Sequence, residues 1–372
     1  MEDDRIDVPE QAPLEVWLAG ALMVGVMAVG SWQAVQSLAD PALADVPRGL
    51  EDIRSGVASD KFSKHLDNHL PARSALIATA NAGRYLVFQG AGDSVRLGRD
   101  EWLFSVEELA YSPQSVVQLN NRVSRVAKLS AALAQRGIKL VVALVPDKSR
   151  VYARQLSGGQ YPHWHASRYP TALQGLRAAG VQTVDLLGVM TPEAAKNLFY
   201  TTDTHWNQDG ADLAAQAIAA HVQSLAPDLP RTQFATKAAD KQDARVGDLL
   251  RLMGLGDVPN WMRPDPDMEA VRTTERTSPP AKTGLLDDVQ TPVVLAGTSY
   301  SRRANFHGAL QQHLGSEVLN VAKDGGGFFQ SMHEYLRDDA FSSAPPSVLI
   351  WELPERVFSE PDKDGEAAGF QL

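Results

Sequence analysis

The sequence predicts an α/β fold with a central, mostly parallel sheet, and three observations predict it. Short apolar runs of strand length alternate with amphipathic, helix-like segments along the chain. The run Lys139–Val145 is continuously apolar after its first residue, which is typical of a parallel strand covered on both faces. Polar residues follow several predicted strands, at the sheet edge where ligands bind in open α/β sheets.

Composition narrows the function classes. The 372 residues are 44% hydrophobic, which is enough apolar material for a large core. The net charge of −10 argues against non-specific attraction to nucleic acid, so no nucleic-acid partner is expected. The absence of cysteine excludes disulfides, iron–sulfur clusters, cysteine-ligated zinc and a cysteine nucleophile.

The N-terminal region predicts a membrane anchor. Residues 1–15 form an acidic tail, and 16–38 carry no charge, which exceeds the ~20 residues needed to cross a bilayer. The alternative is a cleavable export signal, because Ala42-Leu43-Ala44 fits a small-x-small cleavage site. Residues 39–60, rich in Ala, Asp and Pro at their start, are predicted to be a linker.

The main domain is predicted to span 61–360, followed by a C-terminal tail at 361–372. A polar, Pro-rich insertion at 232–283 interrupts it, with one helix predicted at Val246–Met253. The remaining predicted elements of the first half are helical spacing over Asp60–Asn81 broken at Pro71, a hairpin at Val95–Phe104, a helix at Ser115–Gln135 closed by Gly137, a strand at Lys139–Val145, a helix at Thr171–Ala179 and a strand at Val181–Leu187. A helix begun by Thr191 as N-cap follows, and then a helix that is capped by Asn207 or Asp209 and runs to about Leu225. The last elements are a strand at Val293–Ala296, a helix from about Arg302 to Leu314, a strand at Glu317–Val321, a helix at Phe329–Leu336 and a strand at Ser347–Glu352.

A serine follows one of these strands in the stretch LAGTSYSR, residues 295–302. Gly297 ends the strand, and Ser299 then lies between a strand and a helix-compatible segment. Main-chain N–H groups at a helix start can hold a developing oxyanion. Ser299 is therefore a candidate nucleophile, although the G-x-S-x-G spacing of a nucleophile elbow is absent.

A second stretch, YTTDTHWNQDG at 200–210, supplies an acid and a base. A serine hydroxyl needs a base to take its proton, and the pKa of an ordinary histidine suits neutral pH. The Asp-x-His spacing lets Asp203 orient His205, as the acid of a catalytic triad does. The alternative is structural, with Asp203 capping the next helix and His205 packed as a partly buried polar residue.

Other polar residues are weaker candidates. Lys148 and Arg302 are positioned to meet an anionic sugar, with surface ion pairs as the alternative. Residues 325–327, three glycines, offer oxyanion N–H groups or a plain turn. His163 and His165 flank Trp164, but no third ligand has recognisable spacing, so no metal and no cofactor are predicted.

The two stretches together resemble the alginate O-acetyltransferase family of AlgJ and AlgX, which is SGNH hydrolase-like. Four further segments agree in order, namely FSKHLDNHLPARSALI, VRLGRDEWLF, LVVALVPDKSRVY and VLIWELPER. The likeness covers most of Phe62–Arg356. The chain ends about sixteen residues beyond Arg356, with no room for the carbohydrate-binding module of AlgX, so membrane-anchored AlgJ is the closer likeness.

The resemblance implies a three-layer α/β/α fold and a site in which Ser299 is the nucleophile, His205 the base and Asp203 its orienting acid. Lys148, Tyr300 and Arg302 are the predicted substrate contacts. The implied activity is acetylation of hydroxyls on an exported polysaccharide, with a membrane-bound O-acyltransferase as acetyl supplier. The family also implies a cytoplasmic tail at 1–15, a location in the bacterial inner membrane and a catalytic domain in the periplasm.

Two alternative functions stay open on the sequence. A polysaccharide acetylesterase would use the same three residues to remove acetyl groups. A non-catalytic scaffold of a polysaccharide assembly complex has no need of such a triad, and gains support only if the three side chains lie too far apart to hydrogen-bond.

Overall fold

The structure is a computed structural model that describes residues 23–25, 27–32, 35, 49–69, 73–278, 291–362, 366 and 369–370. Among these residues, no helix combines the length and apolar character needed to cross a bilayer. The predicted tail at 1–15 lies outside the described residues, as do most of the predicted anchor at 16–38 and part of the linker. Their assignments stay predictions.

The described chain divides into two compact units, Met1–Gly83 and Arg84–Leu372. The strands, all in the second unit, are β1 Val95–Leu97, β2 Leu103–Ser105, β3 Lys139–Val145, β4 Gln182–Asp185, β5 Phe234–Ala238, β6 Asp243–Arg245, β7 Asp267–Glu269, β8 Arg272–Arg276, β9 Val293–Ala296, β10 Val318–Asn320 and β11 Val348–Pro354.

The α-helices lie before and between these strands. They are α1 Leu50–Arg54, α2 Val57–His69, α3 Arg73–Phe88, α4 Val106–Leu109, α5 Ser115–Gln135, α6 Lys148–Val151, α7 Arg168–Ala178, α8 Leu186–Met190, α9 Gln208–Leu225, α10 Asp248–Leu252, α11 Phe306–Leu314, α12 Gln330–Leu336 and α13 Asp339–Ser343. Short 3-10 helices include His163–His165, Thr191–Lys196, Ser299–Arg302 and Glu355–Phe358.

Five parallel strands form the central sheet in the order β10-β9-β11-β3-β4. Alternate residues of each strand point to opposite faces. Val141, Ala143 and Val145 of β3 therefore pack in one core with α9 and α11, whereas Leu140, Val142 and Leu144 pack in a second core with α5, α7 and α12. The predicted α/β fold with a covered parallel sheet is thereby confirmed.

Several predicted elements match closely. The α5 and β3 bounds agree with the prediction, and Gly137 follows α5 with a positive φ of 76°. Asn207 caps α9, because its Oδ1 accepts hydrogen bonds from the N–H groups of Asp209 and Gly210 at 3.0 Å.

Two helix predictions need correction. The helix expected from Arg302 is split, because Ala304 and Asn305 take left-handed φ values of 55° between a 3-10 turn and α11. The helix predicted at Thr191 is present as a 3-10 helix, Thr191–Lys196, but Thr191 does not cap it. Its Oγ1 donates instead to the carbonyl of Leu187 in α8 at 2.8 Å.

The insertion at 232–283, described here to residue 278, consists of two antiparallel strand pairs and α10. β5 pairs with β8, and β6 pairs with β7. β5 and β8 both pack against α11. α10 begins three residues after β6 ends, so this small structure can bring polar side chains to the edge of the main sheet.

Candidate active site

Ser299 follows β9, at the carboxyl edge of the sheet. The turn needs glycine at 297, because a Cβ there would lie 2.6 Å from Oε2 of Glu352 and 2.8 Å from Oγ of Ser301. Glu352, at the end of the neighbouring strand β11, accepts from the N–H of Thr298 at 2.8 Å and from Oγ of Ser301 at 3.0 Å. This buried carboxylate fixes the turn that presents Ser299.

Within the described chain, the hydrogen bonds of Glu352 go to Thr298 and Ser301 rather than to Arg356. Arg356 instead lies 3.8 Å from Glu107 and 3.9 Å from Glu360. Burial raises the pKa of Glu352, although the hydrogen bonds of the turn oppose that shift.

Asp203 and His205 lie on the loop that precedes α9. An isolated bridge pairs Phe199 with Trp206 and closes this loop. Oδ1 of Asp203 accepts from the main-chain N–H of His205 at 3.0 Å and lies 2.6 Å from its Nδ1. Because Asn207 caps α9, Asp203 is free of the capping role that was its alternative interpretation.

The structure brings the three predicted residues into one hydrogen-bonded chain. Nε2 of His205 lies 2.7 Å from Oγ of Ser299, and Nδ1 lies 2.6 Å from Asp203. Asp203 and His205 are buried, whereas Ser299 is partly exposed. A base oriented by a buried acid and touching an accessible hydroxyl is the geometry that activates a serine.

Asp203 is held in its charged form by its surroundings. Oδ2 of Asp203 accepts from Arg245 at 3.2 Å and from the main-chain N–H of Asp248 at 3.1 Å. Burial alone would raise the pKa of Asp203, but the hydrogen bond and charge of His205 and the charge of Arg245 lower it well below its usual value. Asp203 is therefore a carboxylate at neutral pH.

Arg245 and Asp248 were missed by the sequence analysis. Both come from the insertion, where neither strand alternation nor a motif indicated a contact with Asp203. Asp248 also accepts from the N–H of Thr204 at 2.8 Å, and its Oδ2 lies 3.5 Å from Nδ1 of His205. The insertion thus forms the wall behind the acid and the base.

Asp203, His205 and Asp248 also bring three potential metal-ligand atoms within 4.8 Å of one another. The 2.6 Å separation between Asp203 and His205 Nδ1 is a hydrogen-bond distance, with a proton between the two atoms. A metal at Nδ1 would have to displace that proton and break the pair. The geometry favours an acid–base role for the cluster.

Two predicted substrate contacts need correction. Lys148 is fully buried, and its Nζ donates to the carbonyls of Leu103, Thr201 and Asp203 at 2.6–3.0 Å. Burial lowers the pKa of Lys148 to about 8. With its three donors directed at main-chain carbonyls, Lys148 holds the loop carrying Asp203 rather than meeting a sugar.

Tyr300 is also fully buried, and its hydroxyl donates to the carbonyl of Thr204 at 2.7 Å. Its ring centroid lies 4.8 Å from that of His205, so it supports the imidazole from behind. Arg302 is 52% exposed, donates to the carbonyl of Ala322 at 3.2 Å and lies 3.5 Å from Asp324. Its substrate contact stays a prediction.

Ser299 opens into a cavity of about 530 Å³. This volume is typical of pockets for ligands much larger than an acetyl group. Thr298, Ser299, Gly325 and Gly327 line this cavity. The other lining residues include Glu107, Tyr111, Ser112, His165, Arg168, Arg356, Ser359, Glu360 and Asp362.

The fold and this arrangement define an SGNH hydrolase-like protein, and comparison with known proteins agrees. Residues 95–355 match the family described as the SGNH hydrolase-like domain of acetyltransferase AlgX. The chain belongs to this family, which confirms the resemblance drawn from its motifs and the O-acetyltransferase class of enzyme.

Individual relatives extend the likeness over most of the chain. The probable alginate O-acetylase AlgJ of Pseudomonas aeruginosa is 34% identical, covering 91% of this chain and 87% of the relative. The AlgJ of Pseudomonas putida is 37% identical over 81% and 80% of the two chains. The solved O-acetyltransferase domain of Pseudomonas putida AlgJ is 35% identical, with a TM-score of 0.65, covering 73% of this chain and 94% of that domain.

Proposed function

We propose that this protein transfers acetyl groups to hydroxyls of an exported polysaccharide, alginate or a polymer like it. The observation that carries the proposal is the continuous chain from Ser299 through His205 to Asp203, opening into a cavity large enough for a sugar unit. The naming of the AlgJ relatives as alginate O-acetylases supports the choice of substrate.

The first half-reaction charges the enzyme. Oγ of Ser299 attacks the carbonyl carbon of the acetyl donor while Nε2 of His205 takes the hydroxyl proton. The negative charge of Asp203 stabilises the resulting imidazolium. When the tetrahedral intermediate collapses, the donor's leaving group departs with the proton from His205, and Ser299 carries the acetyl ester.

The second half-reaction transfers the acetyl group from Ser299 to the sugar. A sugar hydroxyl gives its proton to Nε2 of His205 and attacks the acetyl carbon, and Oγ of Ser299 then leaves and recovers that proton. Ser299 and Gly327 line the cavity, and their main-chain N–H groups are candidate donors to the oxyanion of both intermediates. The catalytic steps thus require no cofactor.

A deacetylating esterase would use the same residues. An experiment with an acceptor glycan distinguishes this esterase from the proposed acetyltransferase. With a chromogenic acetyl ester as donor, addition of unacetylated alginate oligosaccharides should divert acetyl groups from water to sugar. Transfer that outpaces hydrolysis supports the proposal, and hydrolysis alone favours the esterase. The hydrogen-bonding distances in the triad argue against a scaffold that needs no such chemistry.

The acetyl donor and the location belong to the same proposal. Acetyl-CoA is cytoplasmic, so a membrane-bound O-acyltransferase would deliver acetyl groups to a periplasmic catalytic domain tethered by residues 16–38. Fractionation of cells expressing the full chain should leave it in the inner membrane. In spheroplasts the main domain should be digested by added protease, and its protection would contradict this orientation.

Arg245 provides a test of the wall behind Asp203. We expect Arg245→Gln to lower transfer several-fold and to move the acidic limb of the pH–activity profile upward by about one pH unit. Loss of the cation 3.2 Å from Asp203 makes protonation of the Asp203–His205 pair easier. The limb must move up rather than down, because the pair then keeps its proton to higher pH.

The matched control is Arg251→Gln. Arg251 is exposed and lines, together with Arg245 and Asp203, a second cavity beside the insertion. Among its described hydrogen bonds it contacts only the carbonyl of Val246. The Arg251 variant should have the same pH–activity profile as the unaltered protein. If the Arg245 and Arg251 variants had the same pH–activity profile, Arg245 would have no role in holding Asp203.

A further inference from the structure

Two exposed aromatic side chains lie outside the chemistry described so far. Tyr111 is 67% exposed and Trp164 is 43% exposed, whereas most aromatic residues of this unit are buried. Their ring centroids are 6.3 Å apart at an interplanar angle of 84°, which is an edge-to-face pair. The two rings therefore form one composite surface.

The protein holds this pair in place. Nε1 of Trp164 donates to the carbonyl of Leu109 at 3.1 Å, and the ring of His163 lies 4.9 Å from that of Trp164. Nε2 of the next residue, His165, lies 2.8 Å from the carbonyl of Ala110. The 3-10 helix carrying Trp164 is thus bonded to the segment carrying Tyr111, so both rings are positioned before any ligand binds.

The pair is continuous with the cavity of Ser299. Tyr111 lines that cavity directly. Trp164 lines a smaller adjoining cavity of about 60 Å³, and the two cavities share His165, Arg168 and Ser359. A ligand that runs along the cavity away from the Ser299 hydroxyl can therefore reach the aromatic pair.

Its surroundings distinguish this surface from a plain apolar contact. Glu107 and Ser112 line the cavity beside Tyr111, and Glu107 is 73% exposed. An apolar ring face next to carboxylate and hydroxyl groups suits a pyranose, whose C–H face packs on an aromatic ring while its hydroxyls donate to oxygen acceptors. A flat protein contact would not need the polar groups or the cavity.

We propose that Tyr111 and Trp164 form an acceptor subsite, which binds a pyranose ring of the polysaccharide while another unit of the same chain presents its hydroxyl to Ser299. The sugar packs through its C–H face and its hydroxyls reach Glu107 and Ser112. The inference rests on the proposed function for the identity of the ligand, but the subsite can be measured without turnover.

The test measures binding, with no acetyl donor present, to the full chain carrying Ser299→Ala. Titration with unacetylated alginate oligosaccharides by calorimetry gives the parent Kd. Adding Tyr111→Ala or Trp164→Ala should weaken binding about five- to tenfold each, the effect expected for loss of one aromatic contact. Tyr111→Phe and Trp164→Phe keep an aromatic face and should restore most of the affinity.

Trp261→Ala is the matched control, because this tryptophan is 74% exposed on the insertion and lines neither cavity. It should bind the oligosaccharides as the parent does. Parent-like affinity in both alanine variants, or no binding to the parent itself, would overturn the subsite. Failure of the proposed function would appear separately, as acetyl transfer that survives Ser299→Ala.

Discussion

Ser299→Ala is expected to lower acetyl transfer by about 10⁴-fold or more, to the level of the uncatalysed reaction plus any effect of binding alone. The Ser299 hydroxyl, 2.7 Å from His205, is the proposed nucleophile that carries the acetyl group between donor and sugar, so its loss removes both half-reactions. The measurement is acetyl transfer from a chromogenic ester to alginate oligosaccharides. It is monitored through release of the chromogenic leaving group and through the acetyl groups gained by the glycan.

Ser224→Ala serves as the matched control. This serine is exposed near the end of α9, and its hydroxyl donates only to the carbonyl of His221 among its described hydrogen bonds. It should retain full transfer. If the Ser299 variant also keeps more than a tenth of the activity while folding normally, the covalent mechanism is wrong.

Arg168→Met is expected to lower the free energy of unfolding by about 3–5 kcal/mol, as breaking a buried ion network does. Arg168 is 3% exposed and bonds two fully buried carboxylates, Asp147 and, at 3.0 Å, Glu355. It also donates to the hydroxyls of Ser359 at 3.0 Å and Tyr161 at 2.8 Å. Removing the guanidinium leaves Asp147 and Glu355 buried without its positive charge and its hydrogen bonds.

The pKa values of Asp147 and Glu355 shift in opposite directions, although both carboxylates are fully buried. Burial raises the pKa of Asp147 well above its usual value despite the charge of Arg168. For Glu355, burial acts in the same direction, but hydrogen bonds and charges from Arg150 and Arg168 outweigh it and lower the pKa. Glu355 therefore contributes stability above the pKa of an unfolded glutamate, and this is lost as the pH falls through its lower folded value.

Urea unfolding of the Arg168 variant at neutral pH measures the loss. Lys323→Met is the control, because the Lys323–Glu334 pair is nearly half exposed and should contribute about 1 kcal/mol or less. A loss for Arg168→Met no larger than for this exposed pair would show that the network is not a stabilising part of the fold.

The main strands and the pairing of Asp203 with His205 were predictable because each depends on a local sequence pattern. Continuous apolar runs gave β3 and β9, and the Asp-x-His spacing placed Asp203 beside His205 within one loop. The strand end before Ser299 placed it at the carboxyl edge of the sheet, where ligands bind in open α/β sheets. Its meeting with Asp203 and His205 followed from the family resemblance and not from a strand end, because their loop comes after β4 only beyond α8 and a 3-10 helix.

The residues that escaped prediction depend on tertiary contacts. Nothing in the sequence distinguishes Lys148, whose ammonium is buried among main-chain carbonyls, from a lysine that meets substrate. Arg245 and Asp248 lie in an insertion without apolar periodicity, and their contact with Asp203 exists only once β6 and α10 have folded. Tyr111 was not singled out, since exposure of an aromatic ring is not encoded in its neighbours.

The covalent acetyl-enzyme is the most direct test of the account. The protein is mixed with a chromogenic acetyl ester in the absence of glycan, quenched in acid, digested and analysed by mass spectrometry. We predict one added acetyl group on Ser299, lost when alginate oligosaccharides are supplied before quenching and absent from His205→Ala. Turnover of the ester with no acetyl group on Ser299, or with the group on another residue, would contradict the mechanism.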